Sequence, residues 1–141
     1  MELVGLLACL AAALPRCRGK PVIIWVDNSG SVHIWRKGNA NTCLLSSCLV
    51  RAIACIADAV DCRVDIVKVR GCSGAGPIVA NHLSKGKFAL FREYADSVGW
   101  QLAAVPRALI AWVDNPVVDD DLGMKILCEL SVDYPIFNIY V

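Results

Sequence analysis

The sequence predicts an α/β fold in which helices pack on a small, mainly parallel sheet. Val22 to Val26 are five consecutive β-branched or aromatic residues, a run typical of a strand that is buried on both faces of an α/β sheet. Arg63 to Arg70 alternates well enough to predict a second strand. Helical patterns precede, separate and follow these segments. The order helix, strand, helix, strand, helix therefore indicates a layered α/β architecture.

Size and composition allow a folded core. The chain has 141 residues, of which 57% are hydrophobic, and its mean hydropathy is +0.54. A domain of roughly this size buries about two-thirds of the surface that its unfolded chain exposes. The high hydropathy favours either a deeply buried sheet or a fragment that lacks packing partners. The formal net charge of +1 gives no global sign of binding to nucleic acids or membrane surfaces.

The N-terminal segment has two interpretations. Leu3 to Leu14 could be the apolar part of a signal peptide, but Glu2 stands where such a leader carries positive charge. The segment is too short to span a bilayer, so no membrane insertion is expected. We favour a helix that is ended by Pro15 and Gly19. Its apolar face would carry five leucines, Leu3, Leu6, Leu7, Leu10 and Leu14.

Eight cysteines raise the question of disulfides or a zinc site, but no pair has C-x2-C spacing. Cys48, Cys55 and Cys62 are spaced by seven residues, which on a helix separates neighbours by about 10.5 Å, too far for a disulfide or a shared metal. We interpret the cysteines as small buried apolar residues in a reducing compartment, which predicts an intracellular protein, cytoplasmic or nuclear. The alternative is a small secreted cysteine-rich protein from which residues 1–19 are cleaved.

Asp27 follows the first predicted strand directly. Open α/β sheets present ligands and chemistry at the carboxyl ends of their strands, so this carboxylate is a candidate metal ligand or acid/base group. The alternative is an aspartate that caps a turn, because Asn28 to Ser31 is rich in turn residues. A short amphipathic segment, Val32 to Lys37, is expected to end at Gly38.

A long helix is the most regular pattern in the chain. Apolar residues recur at helical spacing from Leu45 to Val60, and Asn41 or Thr42 is expected to cap the helix. After Arg70 comes a predicted loop, and then a helix from Ile78 to Lys85 that Pro77 begins.

The C-terminal third has weaker patterns. Glu93 to Val105 and Leu122 to Leu130 are expected to be helical, Asp119 to Asp121 to cap the second of these, and Ile136 to Val141 to form a strand. We therefore divide the chain into an α/β unit, residues 1–90, and a helical extension with a possible terminal strand, residues 91–141.

Four short segments carry a family resemblance. They are Glu2 at the start of a Leu/Ala-rich helix, Gly19 to Asn28, Trp35 to Gly38, and Val79 to Gly86; the tail from Pro106 to Leu130 adds to them. In this order and spacing the chain resembles the second half of the ribonuclease H-like domain that follows reverse transcriptase in retrotransposons, most closely in the DIRS-type elements. The resemblance implies a truncated ribonuclease H-like layered fold with a mixed helical tail.

The resemblance also implies a chemistry, the hydrolysis of the RNA strand of an RNA/DNA hybrid by two Mg²⁺ or Mn²⁺ ions. Two ions about 4 Å apart need clustered carboxylates. The family takes one from the first strand, a Glu from the first helix, an Asp from the end of the next strand and an Asp from the start of the last helix. Glu2 and Asp27 match the second and third of these, as catalytic residues and metal ligands.

Asn81 stands where the family has its last Asp, and no residue here matches the carboxylate of the first strand. An Asn oxygen can bind Mg²⁺ but adds no charge. We therefore expect a degenerate site, a chain that is catalytically inactive and, at most, weak binding of RNA/DNA hybrids or other nucleic acids. Basic residues that could contact phosphates are Arg63, Lys68, Arg70, Lys85 and Lys87.

The first strand of the family pairs with the strand that ends at Asp27, so its absence is expected to leave residues 22–26 as an apolar edge. Ile136 to Val141 or another chain could pair there. This predicts self-association through residues 22–26. A protein-interaction module that uses this edge is a further alternative.

Overall fold

The computed structural model describes residues 2–38, 43–69, 86–99 and 104–133. Six helices and a two-stranded parallel sheet form a mixed α/β fold in these ranges, which confirms the predicted class. The elements in chain order are α1 (Glu2–Cys17), β1 (Pro21–Val26), α2 (Ser29–Lys37), α3 (Leu44–Ala59), β2 (Arg63–Lys68), α4 (Phe88–Ser97), α5 (Arg107–Asp114) and α6 (Leu122–Asp133). The predicted helix 78–85 and strand 136–141 lie outside the described residues.

The two predicted strands pair with each other in parallel. Their register runs without interruption from Pro21 opposite Arg63 to Val26 opposite Lys68. The strand ends at Lys68 rather than at Arg70. Both predicted strands are otherwise confirmed.

The prediction that β1 is buried on both faces was wrong. On one face Val26 is buried and Val22 and Ile24 are half-buried, whereas on the other face Ile23 is 57% and Trp25 63% exposed. A continuous apolar run normally indicates burial on both faces, so β1 departs from this pattern and leaves Ile23 and Trp25 as an exposed apolar face.

Helix α1 confirms the helical interpretation of the N-terminal segment. All five leucines of the predicted face are buried, at 6% exposure or less. The helix continues through Pro15 to Cys17, so Pro15 does not end it. A proline near the end of a helix costs one backbone hydrogen bond, and the packed leucine face outweighs that cost. Gly19 follows with a φ of +68° and donates its N–H to the Val60 carbonyl at 3.1 Å.

Helix α3 lies at the centre of the core, as its regular pattern predicted. Ile53, Ile56 and Val60 are fully buried, and the helix packs against α1 and α6. Its N-cap is Cys43 rather than Asn41 or Thr42, because the Cys43 sulfur accepts the Ser46 N–H at 3.4 Å. Asn41 and Thr42 themselves lie outside the described residues.

The C-terminal third differs from its prediction in two places. The helix expected over 93–105 is instead α4, which spans Phe88–Ser97 and is followed by Gly99 with a φ of +73°. Helix α5 was not predicted. Helix α6 begins at Leu122 as expected and continues beyond Leu130. None of the described helices has the length and apolar character needed to cross a membrane.

Candidate functional site

Asp27 lies at the junction between β1 and α2, at the carboxyl end of the strand. Its side chain is exposed. Asn28, the next residue, has extended backbone angles and caps α2, because its Oδ1 accepts the Gly30 N–H at 2.7 Å. Serine, asparagine and aspartate are preferred at this position since they satisfy free N–H groups at a helix start. The hydrogen bond in this turn thus holds the backbone next to Asp27 in place.

Glu2 in the first turn of α1 lies near Asp27. Burial raises the pKa of the Glu2 carboxyl, and the negative charge of Asp27 raises it further. The Asn28 backbone N–H and side-chain amide hydrogen-bond to Glu2 and oppose this shift in its pKa. Two carboxylates brought together at the edge of the core repel each other, which favours the protonated form of the more buried one.

One oxygen of Glu2 is unusual. Its Oε1 atom is buried and accepts no hydrogen bond from any residue that the structure describes. A buried carboxylate oxygen without a donor is costly, and such atoms are rare in folded proteins. The orphaned oxygen therefore marks this corner as a place where a cation or a water has an available acceptor.

The structure brings together two of the three residues that the sequence predicted. Glu2 and Asp27 meet because α1 packs beside β1, while Asn81 lies outside the described residues. Asn28 was missed. Its position, immediately after a strand-terminal Asp and two residues before Gly30, could have identified it as a helix cap. Its hydrogen bonds to Glu2 depend on tertiary packing and have no local sequence pattern.

The donor set at this corner fits one hard divalent cation. Mg²⁺ binds through one or two protein carboxylates and retains several waters, and Glu2 with Asp27 supplies such a pair. Asn28 presents its amide donor to Glu2 and uses its oxygen in the cap, so it is not a ligand. In the described ranges, no group of three or more His, Cys, Asp or Glu side chains could hold a metal ion. The pair alone does not fit two ions.

Asp119 to Asp121 make contacts at the start of α6, and the Asp120 side chain also pairs with α3. Asp119 Oδ2 forms an ion pair with Lys125 Nζ at 2.6 Å, and Asp119 Oδ1 accepts the Asp121 N–H at 2.9 Å. The hydrogen bond from Lys125 lowers the pKa of the Asp119 carboxyl. Asp120 pairs with Arg51 of α3 at 3.0 Å. The Leu122 N–H donates to the Asp119 carbonyl at 3.4 Å, which is a backbone turn bond, so capping of α6 by these side chains stays a prediction.

The cysteines of the described ranges form no disulfide. Cys17 and Cys62 are both buried. Burial is the main cause that raises the pKa of the Cys62 thiol, and the proximity of Cys17 is the second. Cys43 is exposed. Hydrogen bonds from the Ser46 hydroxyl, at 3.2 Å, and from the Ser46 N–H lower the pKa of its thiol.

Of the basic residues expected at phosphates, Arg63, Lys68 and Lys87 are exposed, and Arg70 and Lys85 lie outside the described residues. Arg63 and Lys68 lie at opposite ends of β2 and, five positions apart, on opposite faces of the sheet. They do not form one basic patch.

No family model matches this chain, and no curated protein or solved structure matches it either. The site is therefore interpreted from its own geometry and from the residues that carry the resemblance.

Proposed function

We propose that this chain is a retroelement-derived, ribonuclease H-like module with a reduced carboxylate site and no efficient hydrolysis of RNA/DNA hybrids. One observation carries the proposal. Glu2 and Asp27, which the resemblance assigns to one metal site, lie close enough at the carboxyl end of β1 for the charge of one to raise the pKa of the other.

The charge at the site supports the loss of activity. A divalent ion held here would polarise a phosphoryl oxygen and lower the pKa of a bound water. Glu2 and Asp27 carry two negative charges, which balance one such ion. A second ion needs further carboxylates, and the position that the family fills with Asp carries Asn81. The chain's own residues would therefore hold one ion and leave the charge of a second ion uncompensated.

Hydrolysis is tested with a labelled RNA/DNA hybrid in Mg²⁺ or Mn²⁺. The unmodified chain, Asn81→Asp and Asp27→Asn are compared. We expect no cleavage by the unmodified chain and by Asp27→Asn, and cleavage by Asn81→Asp if that residue alone accounts for the loss. Cleavage by the unmodified chain that Asp27→Asn abolishes would overturn the proposed inactivity and show that the remaining carboxylates suffice.

Cation binding is tested separately, because it does not depend on turnover. Mn²⁺ is titrated into the unmodified chain and the free ion followed by electron paramagnetic resonance. Glu2→Gln and Asp27→Asn should each weaken binding by about tenfold or more, since each removes one of two charged ligands. Asp114→Asn at the exposed end of α5 is the matched control and should leave binding unchanged. Equal binding by all four proteins would exclude Glu2 and Asp27 as ligands.

A further inference from the structure

The outer edge of β1 has backbone groups without a backbone partner among the residues that the structure describes. The Arg63 N–H donates to the Lys20 carbonyl at 3.2 Å and the Val69 N–H to the Val26 carbonyl at 2.6 Å. In a parallel ladder, these two bonds require the backbone groups of the even-numbered residues of β1 to face β2. The N–H and C=O groups of Ile23 and Trp25 therefore face the other edge. No backbone bond to that edge comes from the residues that the structure describes.

The opposite edge of the sheet, on β2, is covered. Asp65 Oδ1 accepts the Ile66 N–H at 2.9 Å, and Arg36 Nη2 donates to the Ile66 carbonyl at 3.5 Å. Arg36 also lies 3.9 Å from the Asp65 carboxylate. Charged side chains that occupy the backbone groups of an edge strand protect it from pairing. The chain protects β2 in this way, and Pro21 to Val26 contains no charged residue that could protect β1.

An exposed apolar face accompanies the free edge. Ile23 and Trp25 alternate on the side of β1 that faces away from the core and are 57% and 63% exposed. Exposed apolar side chains on an unpaired strand indicate an interaction site. Pairing with another chain would remove these side chains from water and satisfy the backbone groups of the edge.

The charges on this face select the direction of pairing. Arg63 lies on the exposed face at the start of β2, beside Pro21, and Asp27 follows β1 at the other end. A second β1 strand in parallel would place Asp27 beside Asp27. An antiparallel strand places each Asp27 beside Pro21 of the other copy and within reach of its Lys20 and Arg63. Opposite charges across a strand pair stabilise it and like charges destabilise it.

We propose that this edge pairs with the β1 strand of a second copy of the chain, antiparallel, about a two-fold axis at Ile24. In this register Ile23 of each copy is opposite Trp25 of the other. Both have outward-facing backbone groups, so each pair exchanges two hydrogen bonds. The Asp27 N–H can donate to the Pro21 carbonyl, and proline, which has no N–H, loses nothing at that position. The sheet then has four strands, in the order β2, β1, β1, β2.

The register is also favourable for the side chains. Aromatic residues opposite β-branched residues are among the stabilising cross-strand pairs, and the register forms two of them, Ile23 with Trp25 in each direction. The contact is small, below about 1,200 Å² in total, which is the range of weak and transient complexes. The dimer is therefore expected to depend on concentration.

Amide exchange measured by NMR on the full chain, over a concentration range of about 1 μM to 1 mM, tests the proposal together with sedimentation velocity. We expect a monomer–dimer equilibrium in which protection of the Ile23, Trp25 and Asp27 amides rises with the dimer fraction. The Ile24 and Val26 amides, which face β2, should be protected at all concentrations.

Three results would overturn the proposal. Protection of Ile23 and Trp25 in the monomer would mean that a strand of the same chain covers the edge. A dimer in which these amides exchange freely would use another surface. A monomer at all concentrations, with Ile23 and Trp25 unprotected, would leave the edge unpaired.

Substitutions test the edge and the register. Ile23→Lys should weaken dimerisation by at least about tenfold by placing a charge on the edge, whereas Ile110→Lys, at a 49% exposed position on α5, should not. Asp27→Arg and Arg63→Asp should each weaken it by about threefold, and the double reversal should restore it. Failure of the double variant to recover, while both single variants dimerise less, would exclude the antiparallel register.

Discussion

Gly123 at the start of α6 lies so close to Cys55 of α3 that a Cβ atom at position 123 would meet the Cys55 Cβ at 2.8 Å. The Ala52 carbonyl would lie 3.1 Å from the same atom. These neighbours are a helix backbone and a short side chain, and neither can move aside easily. The absence of a side chain at 123 thus allows α6 to approach α3, the helix at the centre of the core.

Gly123→Ala should therefore destabilise the protein, by roughly 1–3 kcal/mol, because the added methyl forces the two helices apart. Gly5→Ala is the matched control. Gly5 lies inside α1 with no atom within 4 Å of a built Cβ, so alanine should stabilise the fold by about 0.5–1 kcal/mol through helix propensity. Urea unfolding of both variants measures the difference. Equal stability of Gly123→Ala and the unmodified chain would contradict the close packing.

Glu129 of α6 caps the N-terminus of α5. Its carboxylate accepts the Arg107 N–H at 2.8 Å and the Ala108 N–H at 3.3 Å. The Arg107 side chain is 97% exposed, and its Nε lies 4.0 Å from the Glu129 Oε1 atom. This exposed ion pair therefore adds little stability.

Glu129→Ala should cost about 1 kcal/mol of unfolding free energy, since it leaves two N–H groups at the helix start without their acceptor. Arg107→Ala should change stability by less than about 0.5 kcal/mol, because it keeps the backbone N–H and removes only an exposed charge. Thermal unfolding followed by circular dichroism compares the two. A larger effect of Arg107→Ala would mean that the ion pair, rather than the cap, is the stabilising contact.

This cap explains why α5 could not be predicted from sequence. Its acceptor comes from Glu129, 22 positions after Arg107, and Pro106 before it supplies no side-chain cap. The core helices α1 and α3 could be predicted because their apolar periodicity extends over four turns. The exposed face of β1 could not, because a continuous apolar run predicts burial on both faces.

The candidate site, like the fold, could be predicted only in part from the sequence. Asp27 could be identified from its position after a strand, and Glu2 only through the family resemblance. Their proximity depends on the packing of α1 beside β1, and the second role of Asn28 depends on the same packing. Contacts between elements that are distant in sequence produce no local sequence pattern from which they could be predicted.

Cys43 should be the most reactive thiol among the described cysteines whose pKa is shifted. It is exposed, and Ser46 lowers the pKa of its thiol, whereas burial raises the pKa of Cys55 and Cys62. The thiolate is the reactive form, so iodoacetamide at pH 7 should alkylate Cys43 before Cys55 and Cys62. Ser46→Ala removes the hydroxyl and should slow this reaction severalfold, with the difference vanishing at a pH above the thiol pKa. Peptide mass spectrometry follows each site, and preferential labelling of Cys62 would contradict the assignment.

The pH dependence of stability tests the coupling between Glu2 and Asp27. The pKa of Glu2 is raised above its ordinary value of 4.5, so the folded state binds a proton more tightly there than the unfolded state does. The ionised carboxylate therefore opposes folding, with no penalty below pH 4.5 and the full penalty above the raised pKa. Glu2→Gln should stabilise the protein at pH 7 relative to the unmodified chain, and this advantage should disappear as the pH falls below about 4.5.

Asp27→Asn provides the matched test at the same site. It removes the neighbouring charge and should lower the pKa of Glu2, followed by NMR titration of the Glu2 side-chain carboxyl carbon. Burial, the larger cause that raises the pKa of Glu2, remains in this variant. Asp114→Asn should leave it unchanged. If Asp27→Asn and Asp114→Asn gave the same Glu2 titration, the two carboxylates would not share a site, and the basis of the proposed function would be lost.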